Sequence, residues 1–408
     1  MNKWQSFSKF LLQLTIFLIP IQLGYHFWPN WAHVFGIRVD YFSPTVYLTD
    51  ILIFLLVVAR FPKMKLSRLK PFLTFLAVIL FVLANIYLGV NRPLAIYRWA
   101  KVGELALFSF AIISFSRAEL KSLIQKPLLF SLAFFSAIGI SQFILGHSLG
   151  GWFYYLGERT FSLVTPGIAL AKFGGTNFLR AYSTFSHPNA LAGYLIVALM
   201  ILIWSSKAKL FKSWSGKLIV GVIGLALLTT FSLTALLALI VALCLRRFVK
   251  RVSWQKMAWF LCLMMLASLL FSIVGPMIVN KLSFVQENLW RRVELAKVAG
   301  QIFSKYPLFG AGGGGFIWLL PVYGATPSIS WWLQPVHNIF LLVLSETGLT
   351  GLLLLFYVFL KAFQRIVTNL PLTAALAIVI ITGGLDHYWL TLQQNQILFA
   401  LLLALSFV

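Results

Sequence analysis

Two adjacent arginines, a glycine run and a histidine share one polar stretch of a chain that is otherwise largely apolar. The stretch covers 291–348 and contains Arg291, Arg292, the glycine-rich run 310–315 and His337. Guanidinium groups bind phosphate through paired hydrogen bonds and keep their charge in a dry site. An imidazole suits proton transfer near neutral pH. Because apolar blocks flank the stretch, it predicts a site for an anionic group at a membrane surface.

The two arginines lie in a segment, 284–303, whose apolar residues recur with a helical period. Neighbouring residues on a helix are about 100° apart, so Arg291 and Arg292 cannot both face the same way. Arg292 flanks the apolar face, whereas Arg291 shares the polar face with Glu287 and Glu294. The pattern fits an anion clamp, and it also fits an interfacial helix with intrahelical ion pairs. Arg292 is the better placed of the two for a clamp.

The glycine run 310–315 follows Tyr306-Pro307 and lets backbone amides approach an anion closely. It lacks the Lys-Ser/Thr of a P-loop, which argues against nucleotide binding. A phosphate cradle and a flexible turn both remain open.

His337 stands at the predicted outer start of a helix, with Asn338 beside it, and is a candidate proton acceptor. Glu346 lies farther along the same helix, within an apolar run, where an acid needs a partner. Arg98 and Lys101 are candidates for that partner.

A second polar motif runs from Arg180 to Asn189 and includes His187-Pro188. Proline is favoured at the first helical position, so the motif predicts an ordered helix entrance. Arg180 is then available for a second anion contact, although a snorkelling arginine fits equally well.

Asp386 and His387 form a third polar spot, which we interpret as structural. No HExxH or other metal-ligand spacing occurs, so the sequence implies no metal. Cys244 and Cys262 are too few for a disulfide framework.

The elements that carry these residues are predicted to be membrane helices. The chain has 408 residues, of which 60% are hydrophobic and 10% charged, far below the roughly 25% charged residues of globular proteins. Apolar runs recur throughout, which predicts an all-α polytopic membrane protein with a single integral membrane domain over 1–408. The first run, Phe10 to Leu23, is interpreted as a spanning helix and not as a signal peptide.

The net charge of +24 is distributed unevenly. Six basic clusters hold 21 of the 33 Lys and Arg residues and only one of the 9 acidic residues. This asymmetry places the clusters and both termini in the cytoplasm and argues against nucleic-acid binding. It predicts about twelve transmembrane helices and, at 276–334, a long outer loop that carries the amphipathic helix. The predicted spans are 10–25, 44–60, 71–89, 95–115, 127–145, 188–206, 217–231, 233–247, 257–275, 335–360, 371–385 and 391–408, with a break near Thr229–Ser232.

Two groups of residues resemble the bacterial O-antigen ligase and O-antigen polymerase family. The first group is Arg180 with Thr184-Phe185-Ser-His187-Pro188-Asn189-Ala-Leu191. The second runs from Arg292 through Pro307-Leu-Phe-Gly310 to His337-Asn338, Glu346 and Gly348. The resemblance covers most of the chain. It departs at Ser232-Leu233, where the family often has Ser-Arg, so any role of that arginine is absent or moved.

The resemblance implies a GT-C-like membrane glycosyltransferase of the bacterial inner membrane with its active site on the periplasmic face. Its donor is a glycan linked to undecaprenyl pyrophosphate, and its acceptor is a glycan or lipid hydroxyl. The implied transfer inverts the sugar carbon and uses neither a metal nor a cofactor. His337 is the implied catalytic residue, and Arg292, Arg180 and Arg291 are the implied pyrophosphate ligands. The implied supporting residues are Asn338, Glu346, His187 and Asn189.

Ligase and polymerase both fit these motifs. A flippase for lipid-linked oligosaccharides is the main alternative, because a twelve-helix basic protein suits a transporter as well. A flippase is expected to show two related halves and polar residues near the midplane. Here the polar residues concentrate on the predicted outer face, which favours an enzyme. A structural membrane protein leaves the outer arginines and histidines unexplained.

Overall fold

The computed structural model describes residues 3–64, 72–206, 213–249, 287–324 and 327–408, with isolated residues between 255 and 274. This part of the chain is mostly helical. The helices are α1 Lys3–Leu18, α2 Leu48–Arg60, α3 Phe72–Leu88, α4 Arg92–Ile113, α5 Arg117–Leu145, α6 Trp152–Tyr155, α7 Pro188–Ser206, α8 Trp214–Thr229, α9 Leu233–Val249, α10 Glu287–Lys305, α11 Gly315–Tyr323, α12 Pro327–Ser330, α13 Ile339–Ile366, α14 Leu370–Gly383, α15 Tyr388–Thr391 and α16 Gln393–Ser406.

Among the described residues, three helices are long and apolar enough to cross a membrane by length and composition: α5, α7 and α13. Shorter apolar helices accompany them within α3, α8, α9 and α14. These helices support a membrane protein of helical type. The expected number of about twelve spans stays a prediction, and the span predicted at 257–275 lies mostly outside the described residues.

Several helix boundaries predicted from hydropathy were wrong. The first helix occupies Lys3–Leu18, not 10–25, and α5 begins at Arg117, not 127. The basic residues near these ends were interpreted as loop, but lysine and arginine are good helix formers. Ser116 then caps α5, because its hydroxyl accepts from the Glu119 amide while the Glu119 carboxylate accepts from the Ser116 amide.

The break near Thr229–Ser232 is confirmed. Helix α8 ends at Thr229, α9 begins at Leu233, and Phe231 between them has a φ of 48°. The break leaves the Thr230 carbonyl free of the helix ladder, and the Arg180 guanidinium takes it as a hydrogen-bond acceptor.

The predicted amphipathic helix is also confirmed as a helix, α10, from Glu287 to Lys305. Its apolar residues Leu295, Ala299 and Ile302 are buried against α11 and α13. The apolar face therefore packs against protein, which fixes the side from which the two arginines project.

Within the described ranges, three antiparallel strand pairs lie in the long segments between helices. The strands are β1 Gly24–His26 with β4 Thr45–Tyr47, β2 His33–Val34 with β3 Ile37–Arg38, and β5 Leu170–Phe173 with β6 Thr176–Leu179. In the last hairpin Leu170 faces Leu179, and Gly174 and Gly175 turn the chain with positive φ. That hairpin delivers Arg180 directly after β6.

Helix α13 begins at a side-chain cap and kinks one third of the way along. The Asn338 carbonyl oxygen accepts from the amides of Phe340 and Leu341, at 2.8 and 3.1 Å. Gly348 has a φ of 68°, a backbone conformation that residues other than glycine rarely adopt. A Cβ atom there would overlap the backbone of Leu308, so the kink is where the glycine-rich segment packs against α13.

Candidate active site

One cavity of roughly 1960 Å³ collects most of the residues singled out from the sequence. Its polar part, here called the chamber, is lined by Tyr41, Arg98, Arg159, Arg180, His187, Asn189, Arg291, Arg292, His337, Asp386 and His387. Its apolar part, here called the groove, is lined by residues of α4, α13 and α16 that include Leu105, Ala106, Ile113, Leu355, Phe399 and Leu403. The two parts are continuous.

His337 and Asp386 face each other in the chamber. The Nδ1 atom of His337 lies 3.3 Å from Oδ1 of Asp386, which also accepts from the backbone amide of His387 at 2.8 Å. Burial alone would raise the pKa of Asp386, but the His337 hydrogen bond and the nearby His387 and Arg292 hold that pKa well below its ordinary value. The ionised carboxylate thus accepts a hydrogen bond from Nδ1–H, which leaves Nε2 of His337 as the nitrogen with a free lone pair.

Asp386, interpreted from the sequence as structural together with His387, contacts the predicted catalytic histidine. Two loops, one before α13 and one between α14 and α15, bring the carboxylate to the histidine predicted to be catalytic. Sequence offered only a weak signal, a charged pair at a helix junction on the same predicted face.

Asn189 joins the same carboxylate to Arg180. Its Nδ2 donates to Oδ2 of Asp386 at 3.2 Å, and its Oδ1 accepts from Nη2 of Arg180 at 2.8 Å. Arg180 also donates through Nε to the carbonyl of Thr230 at 2.6 Å. Arg180 and Asn189 therefore both line the chamber, and the contact with Thr230 was not anticipated.

His187 and His387 both lack the properties of a proton acceptor at neutral pH. Loss of solvating water around the ring lowers the pKa of His187 to about 4, and the charge of nearby Arg180 lowers it further. One side of the ring is nevertheless exposed to the chamber. The Nδ1 atom of His187 accepts a hydrogen bond from the backbone N–H of Asn189 at 3.1 Å, which also requires the neutral form of the ring. Burial lowers the pKa of His387 to about 3, and its Nδ1 pairs with the Thr391 hydroxyl at 2.7 Å. We assign them to shaping the chamber.

Arg291 and Arg292 both line the cavity but have different neighbours. Arg292 donates through Nη1 to the carbonyl of Leu385 at 2.7 Å, directly before Asp386. The Arg291 guanidinium carbon lies 3.7 Å from the ring centre of Trp332, a cation–π contact. This arrangement agrees with the expected angular separation and places Arg292 nearer the His337–Asp386 pair.

Four of the chamber arginines have no carboxylate partner among the residues that the structure describes. Within the described ranges, Arg98, Arg159, Arg180 and Arg292 form no salt bridge. Arg98 donates to the Tyr41 carbonyl at 2.8 Å and Arg159 to the Ser186 carbonyl at 3.2 Å. Positive charge that is only partly solvated in a cavity favours an anionic ligand. Sequence reasoning considered Arg98 only as a partner for Glu346 and missed Arg159.

The glycine run serves the fold. The amides of Ala311 and Gly312 donate to the carbonyls of Ser345 and Glu346, each at 2.9 Å. The Glu346 carboxylate lies near the amides of Gly314 and Phe316 at the start of α11. These amides therefore face protein acceptors, which disfavours the phosphate cradle. Glu346 feels the charge of Arg98, whereas Lys101 pairs with Asp50 at 2.7 Å and Glu104 at 2.9 Å.

Asn338 and Glu346 accordingly have structural contacts. Besides capping α13, Asn338 donates to the carbonyl of Gly384 at 3.0 Å and so ties the His337 loop to the Asp386 loop. Glu346 ties α13 to α11. Both support the site by positioning its elements.

His337, Asp386 and His387 also form a group whose possible metal-ligand atoms all lie within 4.8 Å of one another. Their sequence spacing gave no sign of it. Ligands of a tetrahedral Zn²⁺ lie roughly 2.0–2.1 Å from the metal, and therefore about 3.4 Å apart, so the group would need to contract. Arg292 acts electrostatically on Asp386, which disfavours a cation. The local charge suits an anion better.

Comparison with known proteins gave no relatives: no protein-family model and no curated protein matches this sequence.

Proposed function

We propose that this protein transfers a glycan from undecaprenyl pyrophosphate to an acceptor hydroxyl, as an O-antigen ligase or a polysaccharide polymerase does. The observation that carries the proposal is one continuous cavity with two unlike parts. Arg98, Arg159, Arg180 and Arg292, which form no salt bridge with the described residues, occupy one part together with the His337–Asp386 pair. An apolar groove forms the other part. A pyrophosphate joined to a long hydrocarbon chain has the matching two-part chemistry.

The groove supports a lipid-linked substrate. On α4, cavity-lining residues recur every three or four positions from Arg98 to Ile113, and the same periodicity occurs on α13 and α16. Fifteen residues of helix extend about 22 Å, a large part of the roughly 30 Å hydrocarbon core of a bilayer. A hydrocarbon chain in this groove would bring its phosphates to the arginines.

The chamber supports a displacement at the sugar carbon. In the proposed step the acceptor oxygen bonds to that carbon, and the bond from carbon to the pyrophosphate oxygen breaks with its electron pair remaining on the phosphate. The acceptor proton passes to Nε2 of His337, whose Nδ1 side is held by Asp386. Attack opposite the leaving group inverts the carbon.

The arginines stabilise the leaving group. Charge grows on the pyrophosphate as the bond breaks. Arg292 contacts the Asp386 loop directly at Leu385 and Arg180 contacts it through Asn189, so both can neutralise that charge. Because pyrophosphate is already a good leaving group, a general acid is not required. Arg291 is a further candidate ligand from the same helix as Arg292.

The proposal includes a membrane placement. About twelve spans in the bacterial inner membrane, with both termini cytoplasmic, would place the chamber on the periplasmic side, where a flipped lipid-linked glycan is presented. The asymmetry of basic residues supports this orientation.

A flippase is the second candidate, because a groove continuous with a polar chamber also suits lipid translocation. The experiment is to reconstitute the purified protein in liposomes with an undecaprenyl-pyrophosphate glycan and an acceptor glycolipid, and to follow both transfer and lipid flipping. We expect transfer, and its loss in His337→Ala and Arg292→Ala. His147→Ala and Arg92→Ala, which lie outside the cavity, are the controls. Flipping without transfer would support the transporter instead, and full activity of both cavity variants would refute the mechanism.

A further inference from the structure

We infer that Asn189 is a positioning residue that links the phosphate-binding Arg180 to the carboxylate that orients His337. The inference rests on the proposed function, since it assigns a consequence to donor binding at that same site. It makes the basicity of His337 depend on whether a phosphate group occupies the leaving-group site.

The link is a series of three hydrogen bonds through four side chains. Arg180 donates to the amide oxygen of Asn189 at 2.8 Å, and the amide nitrogen donates to Oδ2 of Asp386 at 3.2 Å. The other carboxylate oxygen faces Nδ1 of His337 at 3.3 Å. Arg180 follows β6, Asn189 is the second residue of α7, and His337 and Asp386 come from the loops before α13 and after α14. The series of hydrogen bonds therefore joins the segment 180–189 to two loops that are far from it in the sequence.

The amide has only one favourable orientation. A guanidinium offers only donors and an ionised carboxylate only acceptors, so reversing the Asn189 amide would turn NH₂ toward Arg180 and oxygen toward Asp386. The backbone of Asn189 is fixed as well, because its backbone N–H donates to Nδ1 of His187 at 3.1 Å. Pro188, the first residue of α7, lies between the two residues. Asn189 thus holds both charged neighbours at set positions.

Arg180 is held on one side and open on the other. Its Nε bonds the Thr230 carbonyl at 2.6 Å and its Nη2 bonds Asn189, whereas Nη1 has no hydrogen-bond partner within the described part of the chain. An anion that engages Nη1 shifts or polarises the guanidinium, and Asn189 is the contact through which Asp386 responds. A carboxylate that moves or gains negative character changes the basicity of His337.

A purely structural Asn189 would cap α7 and fill space. Removing it would then lower stability without making His337 insensitive to an anion. The relevant observable is the titration of His337 with and without a phosphate ligand, because this readout needs no glycan transfer.

We would measure the ¹⁵N resonances of histidine in the full-length protein in nanodiscs, assigning His337 from the His337→Gln variant. Inorganic pyrophosphate is the probe. In the wild-type protein we expect it to shift the His337 titration midpoint, and we expect the shift to be at least halved in Asn189→Ala. Asn189→Asp keeps the Arg180 contact and replaces the Asp386 contact with repulsion, so its His337 midpoint should rise even without the probe.

The matched control is Asn91→Ala. Asn91 is also buried at a helix start, where its Oδ1 accepts from the Leu94 amide at 3.2 Å, but it lies outside the cavity. This variant should lose stability and keep the pyrophosphate-induced shift. An equal shift in wild-type and Asn189→Ala protein would overturn the link, and so would the absence of any shift in wild-type protein. Failure of the proposed function would appear separately, as a lack of glycan transfer by a protein whose His337 still responds to pyrophosphate.

Discussion

His337 and Asp386 are 49 positions apart in the chain, yet their side chains meet at 3.3 Å and share one cavity wall. The contact joins the loop before α13 to the loop after α14 and gives the histidine a defined tautomer. A histidine held this way by an ionised carboxylate has the arrangement of a general base. The contact is therefore the part of the site on which the proposed chemistry depends most.

Replacing Asp386 by Asn should disturb the orientation and tautomer of His337 without disturbing the binding of the donor. The amide keeps the shape of the side chain but can donate to Nδ1, which favours the tautomer with the proton on Nε2. Because general base catalysis contributes typically 10²–10⁴-fold, we expect kcat to fall by about 10²-fold or more with little change in KM for the donor. Steady-state transfer rates measure this effect. Asp40→Asn changes another acidic residue that lines the cavity and should retain near-normal kcat; an equal loss there would contradict the assignment.

Replacing Arg180 or Arg292 by Lys should weaken donor use while keeping the charge. Lysine cannot reproduce the fork of hydrogen bonds that a guanidinium offers to phosphate. We expect kcat/KM for the donor to fall by roughly 10- to 10³-fold, as when one preorganised donor to a developing charge is lost. The comparison variant is Arg92→Lys, whose side chain is exposed beside Tyr87. Unchanged donor kinetics in both cavity variants would exclude these residues from the pyrophosphate site.

The two neutral histidines predict acid sensitivity of the fold. The pKa values of His187 and His387 are lowered to about 4 and about 3, below the roughly 6.5 of an unfolded chain. The unfolded state binds more protons between these values, so stability falls as pH decreases from about 6.5. For buried His387 the loss at pH 5 is about 2 kcal/mol at most. Asp386 adds a further loss only below about pH 3.9, because its folded pKa is depressed.

Thermal unfolding of His387→Gln at pH 7 and pH 5 tests this. The variant should lose less stability than wild type between the two pH values, because one proton-linked group is gone. His147→Gln, at an exposed site outside the cavity, is the control and should follow wild type. An unaltered pH dependence in His387→Gln would contradict a neutral buried histidine.

Local signals in the sequence predicted the elements better than the contacts between them. The break between α8 and α9 follows from polar Thr229, Thr230 and Ser232 within an apolar run, and α10 follows from helical periodicity. The start of α5 was misplaced because hydropathy marks the apolar part of a helix and not its capped end.

The site required information that sequence spacing does not contain. Arg180, Arg292 and His337 were predicted from side-chain chemistry, and the structure brings them into one cavity. The pairing of Asp386 with His337 depends on how two loops pack, so no spacing rule indicates it. The hydrogen bond from the Gly312 amide to the Glu346 carbonyl depends likewise on the docking of α11 against α13.

Gly312→Ala should destabilise the protein without altering the binding of the donor. Gly312 has a φ of 90°, and a Cβ atom there would lie 2.7 Å from the Cα of Gly89. Strain at positive φ costs of order 1–3 kcal/mol, so we expect a lower midpoint of thermal unfolding and an unchanged KM for the donor. Gly36→Ala also has positive φ but no atom within 4 Å of the new Cβ, so it should lose less stability. A raised donor KM in Gly312→Ala would restore the phosphate-cradle interpretation.

Ala106→Trp tests whether the groove holds a hydrocarbon chain. Ala106 lines the groove on α4, and its small side chain leaves room that an indole would fill. We expect kcat/KM for an undecaprenyl-linked donor to fall by roughly tenfold, equivalent to about 1.4 kcal/mol of binding. A donor with a short prenyl chain that ends above this point should be affected much less. Leu107→Trp is the matched control, because Leu107 is the next residue of the same helix and does not line the cavity. If both donors are affected equally, the indole disturbs the chamber itself, and the lipid chain must be bound elsewhere.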